Sequence, residues 1–237
     1  MDAFGTLQLE TSSLYAAVVL NLSYCQNVNV AGYAFRGVTL GTGSGIDQGK
    51  PNNGAATLDF SYCSYLTTGW NAFSNLQFNS RLQVAITFHA SQHTVIERSF
   101  DSFTNFWWGA GLLDFSQSVN LTIQPNAFWQ SNSNFALSGN PMYLPNNTYV
   151  AGNAVLNLSR CTNLAMPAAG DGGTFFNLQV KAGGTTSTSL EHPGAGAHAI
   201  LDMSYLSDTV FTSTIFYVRE ACLDARTKTG SERRKRN

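Results

Sequence analysis

The residues best suited to chemistry sit at fixed offsets from a recurring leucine. The segments are Leu20-Asn21-Leu22-Ser23, Leu58-Asp59-Phe60-Ser61, Leu113-Asp114-Phe115-Ser116, Leu156-Asn157-Leu158-Ser159 and Leu201-Asp202-Met203-Ser204, with a weaker copy at Ile86-Thr87-Phe88-His89. Offset +1 from the anchor carries Asn21, Asp59, Asp114, Asn157 and Asp202. Offset +3 carries Ser23, Ser61, His89, Ser116, Ser159 and Ser204, and offset +4 carries Tyr24, Tyr62, Arg160 and Tyr205. A row of carboxylates is what glycosidic hydrolysis needs, one acid protonating the leaving group and a second acting as base or nucleophile. Convergent bases are scarce, since only His89 and Arg160 lie near this row. No G-x-S-x-G, P-loop or G-x-G-x-x-G motif accompanies it. The row therefore reads as a binding face with no catalytic residue, in which Asp59, Asp114, Asp202, Ser61, Ser116, Tyr24, Tyr62, Arg160 and Tyr205 are the candidates. Tyrosine among small polar groups suits adaptable recognition. The plainer account is that offsets +1 and +3 are polar because they face water.

Metal and thiol chemistry have weaker support. Cys25, Cys63 and Cys161 share offset +5, and Cys222 stands apart. Their spacing matches no zinc pattern, so a column of small buried thiols is expected in place of a metal site or a disulfide. His89 and His93 are four apart, which has ligand geometry only on a helix, and no H-E-x-x-H motif surrounds them. Neither metal nor cofactor is expected.

Charge narrows the partners. The 237 residues carry 13 Lys+Arg and 14 Asp+Glu, a net charge of −1. Seven of the bases fall between Val218 and Asn237, which leaves six bases against eleven acids in the body. So few scattered bases cannot neutralise a phosphate backbone, and nucleic-acid binding is not expected. Charged residues make up only 11% of the chain, against about 25% in typical soluble domains, while hydrophobic residues reach 43%. No apolar run reaches the ~18 residues of a membrane span. This composition supports a folded core under a neutral, turn-rich surface.

The elements that must position the row follow from the period. Offsets 0 and +2 are large and apolar while +1 and +3 are polar, the alternation of a short strand with one buried face. Such a strand cannot bury its apolar side alone, so successive copies must stack as a parallel sheet in a solenoid. Fifteen residues after the anchor stand Phe35, Phe73, Phe128 and Phe216, with Phe100 at fourteen, and Ala34, Ala72 and Ala127 precede three of them. Anchors recur after 38, 28, 27, 43 and 45 residues. The excess falls in stretches rich in Gly, Asn, Pro, Ser and Thr (41–54, 132–147 and 183–196), which read as inserted loops.

The unit resembles the extracellular type of leucine-rich repeat. Leu20, Leu22, Ser23, Val30, Ala34, Phe35 and Val38 fit its pattern, as do Leu58, Phe60, Ser61, Ala72, Phe73 and Leu76, and Leu113, Phe115, Ser116, Ile123, Ala127 and Phe128. Ala3-Phe4 followed by Leu7 resembles the tail of a preceding unit. Cys25, Cys63, Cys161 and Ser118 replace the family asparagine, and the next apolar residue falls at +8 (Val28, Leu66, Leu121, Leu164) instead of +7. Apolar pairs at +8 and +10, such as Val28 with Val30, suggest a second strand per turn. The alternative architecture is therefore a right-handed parallel β-helix. The resemblance implies a cell-surface or secreted recognition module with a protein or glycan ligand. A β-helix reading would admit a polysaccharide-active enzyme or a carbohydrate-binding protein.

Sequons at Asn21, Asn120, Asn146 and Asn157 agree with an extracellular location, though glycans at Asn21 and Asn157 would crowd the candidate face. Because Met1 opens within a unit, the chain reads as a fragment of a longer array. Residues 1–218 read as one solenoid. Residues 219–237 read as a disordered basic tail, ending in Arg233-Arg234-Lys235-Arg236, whose adjacent cations repel one another and bring no apolar area to offset ordering. Deleting residues 226–237 should change stability by less than about 0.5 kcal/mol in a denaturant melt. A larger loss would mean that the tail docks on the folded body.

Overall fold

The computed structural model describes residues 7–11, 17–42, 54–74, 76–79, 83–100, 110–128, 135–139, 142–143, 149–150, 153–167, 174–175, 178–182 and 198–211. Among them there is no helix. The strands in chain order begin with β1 (Gln8–Thr11), β2 (Val18–Asn21), β3 (Asn29–Val30), β4 (Thr39–Thr42), β5 (Ala56–Asp59), β6 (Thr67–Thr68) and β7 (Gln77–Asn79). There follow β8 (Gln83–Thr87), β9 (Gln92–Ile96), β10 (Ala110–Asp114), β11 (Val119–Ile123), β12 (Phe135–Gly139) and β13 (Met142–Tyr143). The last are β14 (Tyr149–Val150), β15 (Ala154–Asn157), β16 (Ala165–Met166), β17 (Leu178–Ala182), β18 (Ala199–Asp202) and β19 (Val210–Phe211).

Two six-stranded parallel sheets dominate. The first runs β2-β5-β8-β10-β15-β18 and the second β3-β6-β9-β11-β16-β19, so each strand of the first sheet is followed by one of the second in the same order. A third parallel sheet joins β1, β4 and β7, β12 pairs with β17 in parallel, and β13 pairs with β14 antiparallel. The register sets every anchor beside the next: Leu20 against Leu58, Leu58 against Ile86, Ile86 against Leu113, Leu113 against Leu156, and Leu156 against Leu201. The short alternating segments make this choice because one residue of slippage would turn every apolar side chain to water.

Register makes columns of like side chains. At offset +2, Phe88 stacks between Phe60 and Phe115 with centroids 5.2 and 4.9 Å away. A second aromatic column runs Phe35, Phe73, Phe100, Phe128 and Phe175, with successive centroids 5.5, 5.0, 5.4 and 6.0 Å apart. Phe60 touches Phe73 edge to face, and Phe73 touches Phe88, which joins the two columns into one core. Ala34, Ala72 and Ala127 are buried beside the second column, as are Val38 and Leu76. Phe175 was not expected; it lies four residues later than the offset predicts, beyond a Pro- and Gly-containing stretch, yet it fills the same column. Phe216, Ala3-Phe4, the tail and most of the inserted loops lie outside the described residues.

The buried wall is complete only in its middle. Leu58, Phe60, Leu113, Phe115, Leu156 and Leu158 are buried, whereas Leu20, Leu22 and Met203 are half-buried and Leu201 is 38% exposed. The reason is position, since β2 and β18 are the edge strands of the first sheet. Phe88→Ala, which opens a hole where both aromatic columns meet, should cost about 3–5 kcal/mol by denaturant unfolding. A loss within about 0.5 kcal/mol, the range of surface changes, would mean that this column is no core.

Candidate functional site

The candidate row lies where the first sheet turns into the second. Each side chain at offset +1 folds back onto the turn. The Asn21, Asp59, Asp114, Asn157 and Asp202 Oδ1 atoms accept from the backbone N–H two residues on, at 2.8, 2.8, 2.9, 3.0 and 3.0 Å. Thr87 Oγ1 accepts from the His89 N–H at 3.3 Å in the same way. These are Asx-type turns, in which a short polar side chain supplies the acceptor that the turning backbone lacks. The hydrogen bond from Ser204 holds the Asp202 carboxyl below its ordinary value. The carboxylates are thus first of all turn-forming groups.

The residues at +4 are not part of a strand. Tyr24, Tyr62, Ala90, Gln117, Arg160 and Tyr205 all have φ between 53° and 59°, in the left-handed region. So do Asn27, Tyr65, His93, Asn120, Asn163 and Asp208 at +7, with φ between 49° and 56°. A third set, Tyr33, Asn71 and Asn126, stands at +13. Left-handed backbone costs a non-glycine residue about 1–2 kcal/mol. Here it is held by the following segment: the Tyr24 N–H donates to Ser61 O at 2.9 Å, Tyr62 to His89 O at 2.8 Å, and Arg160 to Ser204 O at 2.8 Å. Sequence reasoning missed these positions because the usual glycine signal is absent. The enrichment of asparagine at +7 was the available clue.

The left-handed residues project side chains from the corner. Tyr24 and Tyr62 stack at 4.8 Å with 9° between their planes, and Tyr62 meets His89 edge to face at 5.6 Å. The Arg160 guanidinium lies 5.7 Å from the Tyr205 ring centroid. Tyr24, Tyr62 and Tyr205 are 72%, 47% and 80% exposed. Beside them runs the +7 column: Tyr65 stacks on His93 at 4.7 Å, the Asn120 amide lies 3.3 Å from His93 Nδ1, and Asn163 Nδ2 donates to Asn120 Oδ1 at 2.5 Å. Asn120 is therefore tied into a ladder, while Asn146 lies outside the described residues. By contrast Ser61 and Ser116 are buried, their hydroxyls turned to Thr87 Oγ1 at 3.1 Å and His89 Nδ1 at 2.9 Å. They offer little surface to a ligand.

Catalytic geometry can be tested on these positions. Asp59 and Asp114 flank Thr87, and Asp114 and Asp202 flank Asn157, so no two of these carboxylates stand on adjacent strands. Two strand spacings put their backbones about 9.6 Å apart. Ser116, His89 and Asp114 do meet: His89 Nδ1 lies 2.9 Å from Ser116 Oγ and 3.9 Å from Asp114 Oδ2. Both contacts use one ring nitrogen, so the imidazole cannot relay a proton from serine to a carboxylate across its ring. Among the described residues no three His, Cys, Asp or Glu side chains converge as metal ligands, and no helix is long and apolar enough to cross a membrane.

The thiols line the inside of the same turn. Cys63 Sγ donates to Leu22 O at 3.2 Å and Cys161 Sγ to Phe115 O at 3.1 Å, while Ser118 Oγ donates to Phe88 O at 3.1 Å. At these three places offset +5 supplies a small donor to the carbonyl at offset +2 of an earlier segment, a role that cysteine and serine fill interchangeably. Cys25, Cys63 and Cys161 are free thiols. Burial pushes the Cys63 thiol up, and pushes Cys161 up to about 11.

Comparison with protein-family models, curated proteins and solved structures finds no match. The corner can be tested through its backbone. Gln117 is exposed with φ 59°, so β-branched Gln117→Val, which fits the left-handed region worse than glutamine, should lower stability, whereas Gln117→Gly should leave it unchanged or raise it. Denaturant melts of the two variants check this; equal effects would mean that the left-handed turn is dispensable.

Proposed function

We propose that the protein is a non-catalytic recognition module built as a parallel β-solenoid, and that it binds an extended protein or glycan ligand along the corner ridge. The observation that carries this reading is the ridge itself. Tyr24, Tyr62, Arg160 and Tyr205 stand exposed at left-handed backbone positions, the first three each held by an N–H bond to the following segment, while the neighbouring carboxylates are engaged by their own turns. Rigid aromatic groups that lose little entropy on binding are the usual anchors of such surfaces. Successive positions spaced by about 4.8 Å favour a ligand that is itself extended.

Within this reading, two long parallel sheets with a third beside them support the β-helix cross-section over a single-sheet leucine-rich repeat. The rule of right-handed crossovers between parallel strands supplies its hand. The sequons and the resemblance to extracellular repeats support a secreted or cell-surface location. A carbohydrate-active reading draws on one specific feature, the meeting of His89 with Asp114 and Ser116.

Binding of the full chain to a glycan array and to a library of secreted proteins tests the proposal. A ligand so identified should lose at least about tenfold in affinity with Tyr62→Ala or Tyr205→Ala, the range of an interface anchor, with the melting temperature of Tyr205→Ala unchanged. Ligands indifferent to every ridge substitution would refute the ridge. Release of reducing ends from a polysaccharide, lost in His89→Ala, would replace recognition by catalysis.

A further inference from the structure

We infer that Cys25 and Cys63 are a matched thiol pair that closes into a disulfide on oxidation, latching the segment anchored at Leu20 to the one anchored at Leu58. Register supplies the pairing. Both cysteines stand at offset +5 of successive segments, and the backbone is tied on either side of them. The Tyr24 N–H donates to Ser61 O at 2.9 Å, the Ser64 N–H donates to Cys25 O at 3.0 Å, and Gln26 pairs with Ser64. Strands in register stand about 4.8 Å apart. That lies within the range of roughly 4.4–6.8 Å that a disulfide allows between Cα atoms.

Side chains at +5 meet along the column. Ser91 and Ser118 hold the equivalent places on two later segments, and their hydroxyl oxygens are 3.3 Å apart. In the cysteine pair, a backbone hydrogen bond from Cys25 reaches the Cys63 sulfur, and the two thiols are themselves hydrogen-bonding neighbours. Rotation about the two Cα–Cβ bonds is then the motion that brings sulfur to sulfur. Cys161 has no such neighbour. The column runs Cys25, Cys63, Ser91, Ser118, Cys161 and Leu206, so Cys161 lies between a serine and a leucine. It is fully buried and its Sγ donates to Phe115 O at 3.1 Å, which keeps it a thiol.

The chemistry is an exchange with a small-molecule disulfide such as oxidised glutathione. Cys25 is the less buried of the pair and starts it. Its thiolate attacks one glutathione sulfur, forms a mixed disulfide and expels the first glutathione thiolate. The Cys63 thiolate then attacks the Cys25 sulfur and expels the second. Two protein thiols are oxidised by two electrons, one glutathione disulfide is reduced to two thiols, and both protons pass to glutathione. Closure gives up the Cys63 S–H bond to Leu22 O, an acceptor on a half-buried residue. Against that, it spans 37 intervening residues, among them the inserted stretch 41–54. A bridge over so long a loop stabilises the fold by restricting the unfolded chain. It also fastens Leu20 and Leu22, which are half-buried, to Leu58 and Phe60, which are fully buried.

Peptide mapping tests the pair. The folded, reduced chain is incubated with oxidised glutathione, then unfolded in an alkylating agent and digested. Cys25 and Cys63 should appear in one linked peptide, and Cys161 should appear as an alkylated thiol. The oxidised chain should melt about 5 °C or more above the reduced one. Cys25→Ser and Cys63→Ser should keep the circular-dichroism spectrum of the parent, since serine at 63 still offers a donor to Leu22 O, and neither should respond to the oxidant. Cys25 and Cys63 recovered separately, as alkylated or glutathionylated residues, would overturn the proposal. So would a bridge from either one to Cys161 or Cys222, or a linked pair that leaves the melting temperature unchanged or lowers it.

Discussion

In-register hydrogen bonding between parallel strands is the constraint on which the other features depend. Once Leu20, Leu58, Ile86, Leu113, Leu156 and Leu201 are neighbours, every offset becomes a column about 4.8 Å in repeat. A column can hold only side chains that tolerate copies of themselves above and below. Phenylalanine does so by stacking, and the two aromatic columns make the core. Small donors do so at +5, where thiol or hydroxyl meets a carbonyl. Ionised carboxylates do not, because like charges on adjacent strands repel. The +1 column obeys this: Thr87 separates Asp59 from Asp114, and Asn157 separates Asp114 from Asp202.

What was legible in the sequence follows from the same constraint. Columns of identical residues leave a periodic trace, so the anchors, the alternation at 0 and +2 and the phenylalanines from Phe35 to Phe128 could be read directly. The second sheet was visible only as apolar pairs at +8 and +10, because β3, β6, β16 and β19 are two residues long and carry no alternation of their own. Phe175 escaped because four extra residues shift its offset while leaving its place in space unchanged. Space, not spacing, is what the column selects.

The residues of the candidate row were legible in the sequence, and the turn that holds them was not. Polar residues at +1 and +3 have the look of a solvent-facing strand, and a strand would aim them all at one ligand. The chain instead turns at that point. Oδ1 of each Asp or Asn closes the turn, Ser61 and Ser116 are covered by the adjoining segment, and the following residue takes a left-handed conformation. Nothing in Tyr24, Tyr62 or Arg160 as residue types announces positive φ. It is enforced by hydrogen bonds to a strand 38, 28 or 45 residues away, information that no local window contains.

This division of labour decides where the molecule is free to acquire specificity. At 0, +2 and +5 a substitution must fit between two copies of its own column, so the chemistry there is fixed by packing. At +1 it must still accept a backbone hydrogen bond. At +4 the backbone is held by its own N–H and the side chain leaves the fold altogether, which lets Tyr, Ala, Gln and Arg occupy equivalent places. The conformational cost of positive φ is similar for each of these types, so exchanging one for another changes the surface far more than the stability. The geometry of this ridge is dictated by the core, and its residue identities are not, so its surface can vary while the fold stays constant.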